Sequence, residues 1–362
     1  MSTNMEANTD STRKLASIQT IRCVEKHIGA DALELATILG WQVVTRIGEV
    51  TPGTKVIYCE IDSMLPVNAP WLPPAVKDRI KRDDIKDHFR VKTIKLRGEL
   101  SQGLIIPIVD TLPKPPGDIF NWNDLAEGTN ITEVLEIQKY EPQAFSGKFA
   151  FLATAGGTRF PTELVDKTDE PRVQSEPKLL TLLQGKSYYS TVKLDGTSVT
   201  YVINPTTGEL LVCSRNLVRK KPDNPSVCPY WYIAAKYDIE AKLKETPNIS
   251  IQGEICGPNI QRNLLGLKDL ELFVFNLVDI RDRSRLRPQT MKETCRKLGL
   301  KTVPFEEEGD SFQCDSIKIL LAKAQGPYLG TKNPREGLVM RSEDQTISFK
   351  AINNDYLLKY GY

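Results

Sequence analysis

Short runs rich in β-branched and aromatic residues recur along the chain, each closed by glycine, proline, asparagine or aspartate. Such runs cannot satisfy their own backbone polar groups or bury an apolar face alone, so they must pair in sheets. The first set lies between residues 17 and 62: SIQTIRCVEKH, ELATILGWQVVTR and TKVIYCEI, with GADALE and GEVTPGT between them. A proline-rich crossing over residues 65–74 leads into a charged stretch read as a short helix, AVKDRIKRDDIKDHF, and then into RVKTIKLRG and QGLIIPIV. About five short strands interrupted by one helix match a small Greek-key barrel of the OB type, or an SH3-like barrel, and the pattern alone does not choose.

Residues 109–141 hold PKPPGD, NWNDLAEGTN and YEP and read as a connection between domains. Beyond them KSYYSTVKL, TSVTYVI, ELLVC, ISIQGEI, LELFVFNLVDI, REGLVMRS and TISFKAI are strand-like. Helices are predicted over 230–243, 289–297 and 316–324. Adjacent strands with short turns favour antiparallel sheets, so the class is α+β. A length of 362 residues suits two cores. The expected division is a disordered leader over 1–14, a barrel domain with its linker over 15–140, and a second domain over 141–362.

Composition removes several chemistries. The seven cysteines are scattered without a C-x-x-C pair, which argues against a zinc knuckle or a disulfide framework. With only two histidines, His27 and His88, a histidine metal cluster or a Ser-His or Cys-His mechanism lacks its base. Chemistry must come from lysine, arginine, aspartate and glutamate. No apolar run is long enough to span a membrane, and MSTNMEANTDSTRK lacks the basic and apolar segments of a signal peptide. The expectation is an intracellular, monomeric protein.

Lys193-Leu194-Asp195-Gly196 follows one predicted strand and precedes a turn. A lysine nucleophile must lose its proton, and an adjacent glycine lets a phosphate approach the backbone. Lys-x-Asp-Gly arises by chance in roughly one chain in ten of this length, so it decides nothing alone. Downstream, however, come Ser214-Arg215-Asn216, Gly253-Glu254, Phe273-Val274-Phe275-Asn276, Glu336-Gly337-Leu338-Val339-Met340-Arg341, and Lys350 within SFKAIN. A nucleophile, an arginine, two further acids, an aromatic and a last lysine are the parts needed to bind a nucleoside triphosphate with its metal and attack the α-phosphorus.

At these residues the sequence resembles the covalent nucleotidyltransferase superfamily of polynucleotide ligases and mRNA capping enzymes. The six elements follow the family's order over residues 187–353. A barrel precedes them, and FP followed by KTDEPRVQ lies just upstream, within residues 160–174. The chain as given runs twelve residues past Lys350, which predicts no C-terminal OB domain of the kind found in DNA ligases and capping enzymes. Together these look like the ATP-dependent RNA ligases with an N-terminal OB domain and a C-terminal nucleotidyltransferase domain.

That resemblance implies ATP and magnesium or manganese as cofactors, and RNA carrying 3′-hydroxyl and 5′-phosphate ends as partner, in a nicked duplex under repair. Lys193 takes AMP from ATP, AMP passes to the 5′-phosphate, and the 3′-hydroxyl displaces it. An ordinary lysine is almost wholly protonated at neutral pH, so the site is expected to depress its pKa. Asp195, Glu254 and Glu336 are implied to hold the metal through water. Val192, Arg172, Arg215, Glu254 and Lys350 are implied to contact the nucleotide, with Phe275 stacking on adenine and Phe273 as its alternative. Lys350 also stabilises the transition state. Many relatives end with Lys-x-Lys, whereas Ser348 and Ile352 flank Lys350 here. Rival readings are a DNA ligase, a GTP-dependent capping enzyme and a noncatalytic RNA-binding scaffold.

Residues 76–100 carry nine basic against five acidic side chains. Within them Lys92, Lys95 and Arg97 are candidate contacts to phosphate or RNA.

Overall fold

The computed structural model describes residues 13–109, 111–113, 121–153 and 155–361. The expected leader falls outside these residues except for Arg13 and Lys14, and so does PKPPGD except for Pro113. The chain divides into two compact units, one running to Glu141 and joined by Gly361, the other Pro142–Tyr360.

In the first unit Lys55–Cys59 lies between Ala16–Thr20 and Leu104–Pro107, antiparallel to both. Paired on both edges, KVIYC can be apolar throughout its middle, and Val56 to Cys59 are buried. Cys23–Lys26, Leu33–Ile38 and Trp41–Arg46 form a meander. Two of the predicted stretches thus hold two strands each; the second breaks at Leu39, which adopts a left-handed φ of 53°. Thr93–Leu96 and Glu99–Gln102 form a hairpin. Its tip is locked by His27, whose Nδ1 accepts from the Gly29 N–H and whose Nε2 lies 3.0 Å from the Leu96 carbonyl oxygen.

Two expectations need correction in this unit. The helix stops at Arg82, because Asp84 turns left-handed, and His88–Arg90 is instead a strand pairing with Ser63–Pro66. Residues 121–141 are not a free connection. Trp122, Ile131, Leu135 and Ile137 are buried in the same core as Ile57 and Trp71, and Gln138–Lys139 pairs with Ser63–Pro66.

In the second unit, among the described residues, an eight-stranded sheet is centred on Thr197–Ile203, Ile249–Cys256 and Glu271–Asp279. Its one parallel pairing joins Lys301–Thr302 to Glu271–Asp279. A four-stranded antiparallel sheet runs in the order Phe305–Gly309, Tyr188–Lys193, Gly337–Ser342, Ser348–Ile352. The helix predicted over 230–243 is two, Pro229–Lys236 and Ile239–Glu245, broken where Asp238 takes a φ of 48°. Pro288–Lys297 starts on the proline suited to a first helical turn, and Ile317–Lys323 is capped by the Ser316 hydroxyl. Lys178–Leu183 and Asn354–Tyr360 are helices that the pattern did not predict. One core gathers Ile233, Ile251, Leu277 and Met291, and a second Val192, Leu194, Leu320, Leu338 and Phe349. Among the described residues no helix is long and apolar enough to cross a membrane.

Candidate active site

The strand Tyr188–Lys193 is central in its sheet and buried between its ends, so it is held rigidly up to its last residue. That residue is Lys193, paired in register with Gly337. The register brings the preceding residue, Glu336, against it: Lys193 Nζ donates to Glu336 Oε2 at 2.8 Å. Asp195 follows after one core leucine and is itself buried. The chain then passes so close to the Ile249–Cys256 strand that a Cβ on Gly196 would lie 2.4 Å from the Ile255 carbonyl oxygen and 2.9 Å from Glu254 Cγ. Only glycine fits that passage, and it places Glu254 beside the loop, where the Gly196 N–H donates to its carboxylate.

Lys193, Asp195, Glu254 and Glu336 therefore form one charged cluster, with the three acids outnumbering the single cation. Burial alone would lower the lysine pKa, but Glu336, Glu254 and Asp195 together raise it above the ordinary value. The expected depression is thus absent from the residues themselves, because three carboxylates favour the ammonium. Burial pushes Glu254 up to about 8, with Glu336 and Asp195 adding to the rise against the opposing pull of Lys193. Asp195 shifts in the same direction, chiefly through burial and the charge of Glu336. Its Oδ2 is buried with no hydrogen-bond partner among the described residues. Excess negative charge and an unshared carboxylate oxygen fit a divalent cation that brings its own waters. Among the described residues no set of three or more acids, histidines or cysteines is arranged to ligate a metal directly.

Two tyrosines frame the cluster, and sequence reasoning missed both. The Tyr328 hydroxyl accepts from the N–H of Asp195 at 3.0 Å and of Glu336 at 3.1 Å, and donates to the Lys193 carbonyl at 3.1 Å. The Tyr356 hydroxyl, from the Asn354–Tyr360 helix, bonds the Asp195 carboxylate.

The stacking candidates sit on Glu271–Asp279. Phe273 pairs directly with Glu254, and a register shift between Gln252 and Gly253 leaves Phe275 as the extra residue of a β-bulge. Such a bulge re-aims side chains. Phe273 and Phe275 pack partly exposed against the second core, while Leu272 and Val274 enter the first. Beyond the bulge, Arg341 binds this strand through the Phe275 carbonyl at 3.1 Å and Asn276 Oδ1 at 2.6 Å. Arg341 is buried and ion-paired at 2.9 Å with Glu170. Burial would raise Glu170, but Arg341 and Arg285 hold it below the usual carboxylate range.

Glu170 also anchors the upstream segment. Lys350 N–H donates to the Pro171 carbonyl and Val173 N–H to the Lys350 carbonyl, so Arg172 is bridged in parallel to Lys350. The structure thus brings Arg172 beside Lys350, two residues the sequence separates widely. Arg215 pairs with Asp169 in the same segment, both largely exposed. Val192 packs its side chain into the core and donates its N–H to the Pro304 carbonyl. Lys92, Lys95 and Arg97 belong to the first unit, where Lys95 and Arg97 are exposed at the hairpin tip and Lys92 is half-buried at its base.

The RNA ligase family profile matches residues 186–360, and an OB-fold domain profile matches residues 15–108. Among solved structures, Naegleria gruberi RNA ligase with pyrophosphate is 31% identical with a TM-score of 0.83, over 97% of this chain and 99% of that one. A lysine-to-alanine variant of the same ligase with ATP and manganese is 30% identical with a TM-score of 0.82, over 96% of this chain and 99% of that one. A glutamate-to-alanine variant with AMP and manganese gives the same identity, coverage and score. A search of curated protein sequences returns no match.

Proposed function

The chain belongs to the RNA ligase family and is an ATP-dependent nucleotidyltransferase, and we propose that it seals 3′-hydroxyl and 5′-phosphate ends of nicked duplex RNA with Lys193 as its nucleophile. The observation that carries this reading is the convergence of Lys193, Asp195, Glu254 and Glu336 at the meeting of two sheets. In the first transfer Lys193 Nζ bonds to the α-phosphorus as the bond to pyrophosphate breaks. The second moves AMP from lysine to the RNA 5′-phosphate, and the third joins the 3′-oxygen to that phosphorus and releases AMP.

The ammonium must first give up a proton, and the three carboxylates oppose that loss. A divalent cation bound with the triphosphate would supply positive charge to the phosphate under attack and would compete with the ammonium for these acids; the relatives named above are solved with manganese. Asp195, Glu254 and Glu336 are the residues that would hold it. Phe275 offers its ring to adenine, and Lys350 with Arg172 offers positive charge to phosphate. Exposed Lys95 and Arg97, with Lys92, suit contacts to the RNA backbone.

The test is intact-protein mass after incubation with ATP or GTP and magnesium or manganese, followed by sealing of matched RNA and DNA nicks. One adenylate from ATP, absent in Lys193→Ala, and sealing of RNA are expected. Labelling by GTP alone would favour a capping-type enzyme, sealing of DNA alone a DNA ligase, and RNA binding without any adduct a scaffold.

A further inference from the structure

The hydroxyl of a tyrosine has one proton to donate and two lone pairs to share. Tyr328 uses all three on backbone: Lys193 oxygen, Asp195 N–H and Glu336 N–H. Neither amide belongs to a strand ladder, since one strand ends at Lys193, the next begins at Thr197, and Gly337 begins another. The hydroxyl therefore ties the nucleophile's loop to its counter-ion's loop just beyond the end of the ladder that pairs Lys193 with Gly337.

The tyrosine is itself fixed. Its ring is buried, its N–H donates to the Asn333 carbonyl at 2.9 Å, and its carbonyl accepts from the Thr331 hydroxyl at 3.1 Å. Asn333 Nδ2 donates to the Leu264 carbonyl at 2.8 Å. Arg335, buried, donates to the Ala324 and Lys323 carbonyls and pairs with Glu306 at 2.8 Å. A loop pinned at both ends thus delivers one oxygen atom between Lys193 and Glu336.

We propose that Tyr328 is a positioning residue for the first transfer, holding the Lys193 and Glu336 backbones at the separation that sets their side-chain contact. This rests on the reading of Lys193 as the adenylylated residue. Tyr328 touches no reacting atom; it acts through the two residues it joins. Tyr328→Phe keeps the packing and removes only the shared oxygen. Misplacement of reacting groups by about an ångström costs on the order of a hundredfold in rate.

The experiment is single-turnover adenylylation of the full chain with ATP and manganese. Tyr328→Phe is expected to lower the rate constant about tenfold to a hundredfold, with the final adduct yield and the half-saturating ATP concentration within about twofold of wild type. A merely structural role would lower the yield and leave the rate constant, and that result, or an unchanged rate constant, overturns the proposal. Should the variant not fold, hydrogen exchange on the wild type decides: the Asp195 and Glu336 amides are expected to be protected together, and fast exchange at either overturns it. If wild type forms no adduct, the functional reading fails while the exchange measurement still tests Tyr328.

Discussion

Arg341 and Glu170 form a buried ion pair at 2.9 Å, their side chains 5% and 9% exposed. Arg341 stands on Gly337–Ser342 and also bonds the backbone and Asn276 of Glu271–Asp279, so one guanidinium ties the two sheets behind the site. Glu170 adds the upstream segment that carries Arg172.

Removing Glu170 strands Arg341 as a buried charge, whereas removing Arg341 leaves buried Glu170 with Arg285 alone, at 3.4 Å. Glu170→Ala or Arg341→Ala is expected to cost about 3–5 kcal/mol by urea unfolding. The double variant should lose less than the sum, because Arg341 no longer stays behind as a stranded charge and only Arg285 is left without its acid. Additive losses would mean the pair is not coupled.

Acidity of the metal-free site has a defined sign. Glu254 is raised from 4.5 to about 8, and Asp195 moves the same way. The folded chain keeps protons that the unfolded chain releases near pH 4.5, so their contribution to stability falls as pH rises from there to about 8. The carboxyls of Glu271, Asp279 and Asp344, held down at about 2, act only below that window. In EDTA the melting temperature should drop between pH 5.5 and 8.5, and Glu254→Gln should flatten the drop. Manganese should oppose it.

Gly196→Ala places a methyl group against the Ile255 carbonyl and Cys256 Sγ. Backbone cannot yield there, so Glu254 must shift, and adduct formation is expected to slow at least tenfold. Gly156→Ala, where a Cβ meets nothing within 4 Å, should leave adduct formation unchanged. Equal effects would deny the close approach its role.

Phe275→Ala should raise the half-saturating ATP concentration by roughly tenfold or more, the worth of a base–aromatic stack, with a smaller effect on the maximal rate. Phe273→Ala is the comparison. If it shows the larger loss, the stacking role belongs to Phe273.

Neutralising Lys95 and Arg97 together should weaken binding of nicked RNA and reduce the salt dependence by about two charges, with adduct formation from ATP retained. An unchanged salt slope would remove both residues from the RNA contact.

The longer strands of both units were legible because period-two patterning acts locally, and the residues of the charged cluster were legible through the order of their motifs and the resemblance those motifs carry. Tyr328 was not, for it sits in PYLGTKNPREG, a loop with no periodicity, and reaches the cluster only through a hydroxyl. Arg341 reads as an ordinary arginine until Glu170 is brought to it. The bulge at Phe275 lies inside a strand that reads as continuous. Phe305–Gly309, FEEEG, looks like a surface loop; it is an edge strand whose Glu307 and Glu308 meet Tyr188 and Lys292. Asp238 interrupts a helix that propensity alone carries through.

Keeping the proton on Lys193 has a further consequence for its chemistry. An amine without its lone pair ignores stray aldehydes, cyanate and activated esters, so the proposed nucleophile is guarded at rest. On the proposed reading, reactivity is conditional, released only in company with an ion and a triphosphate.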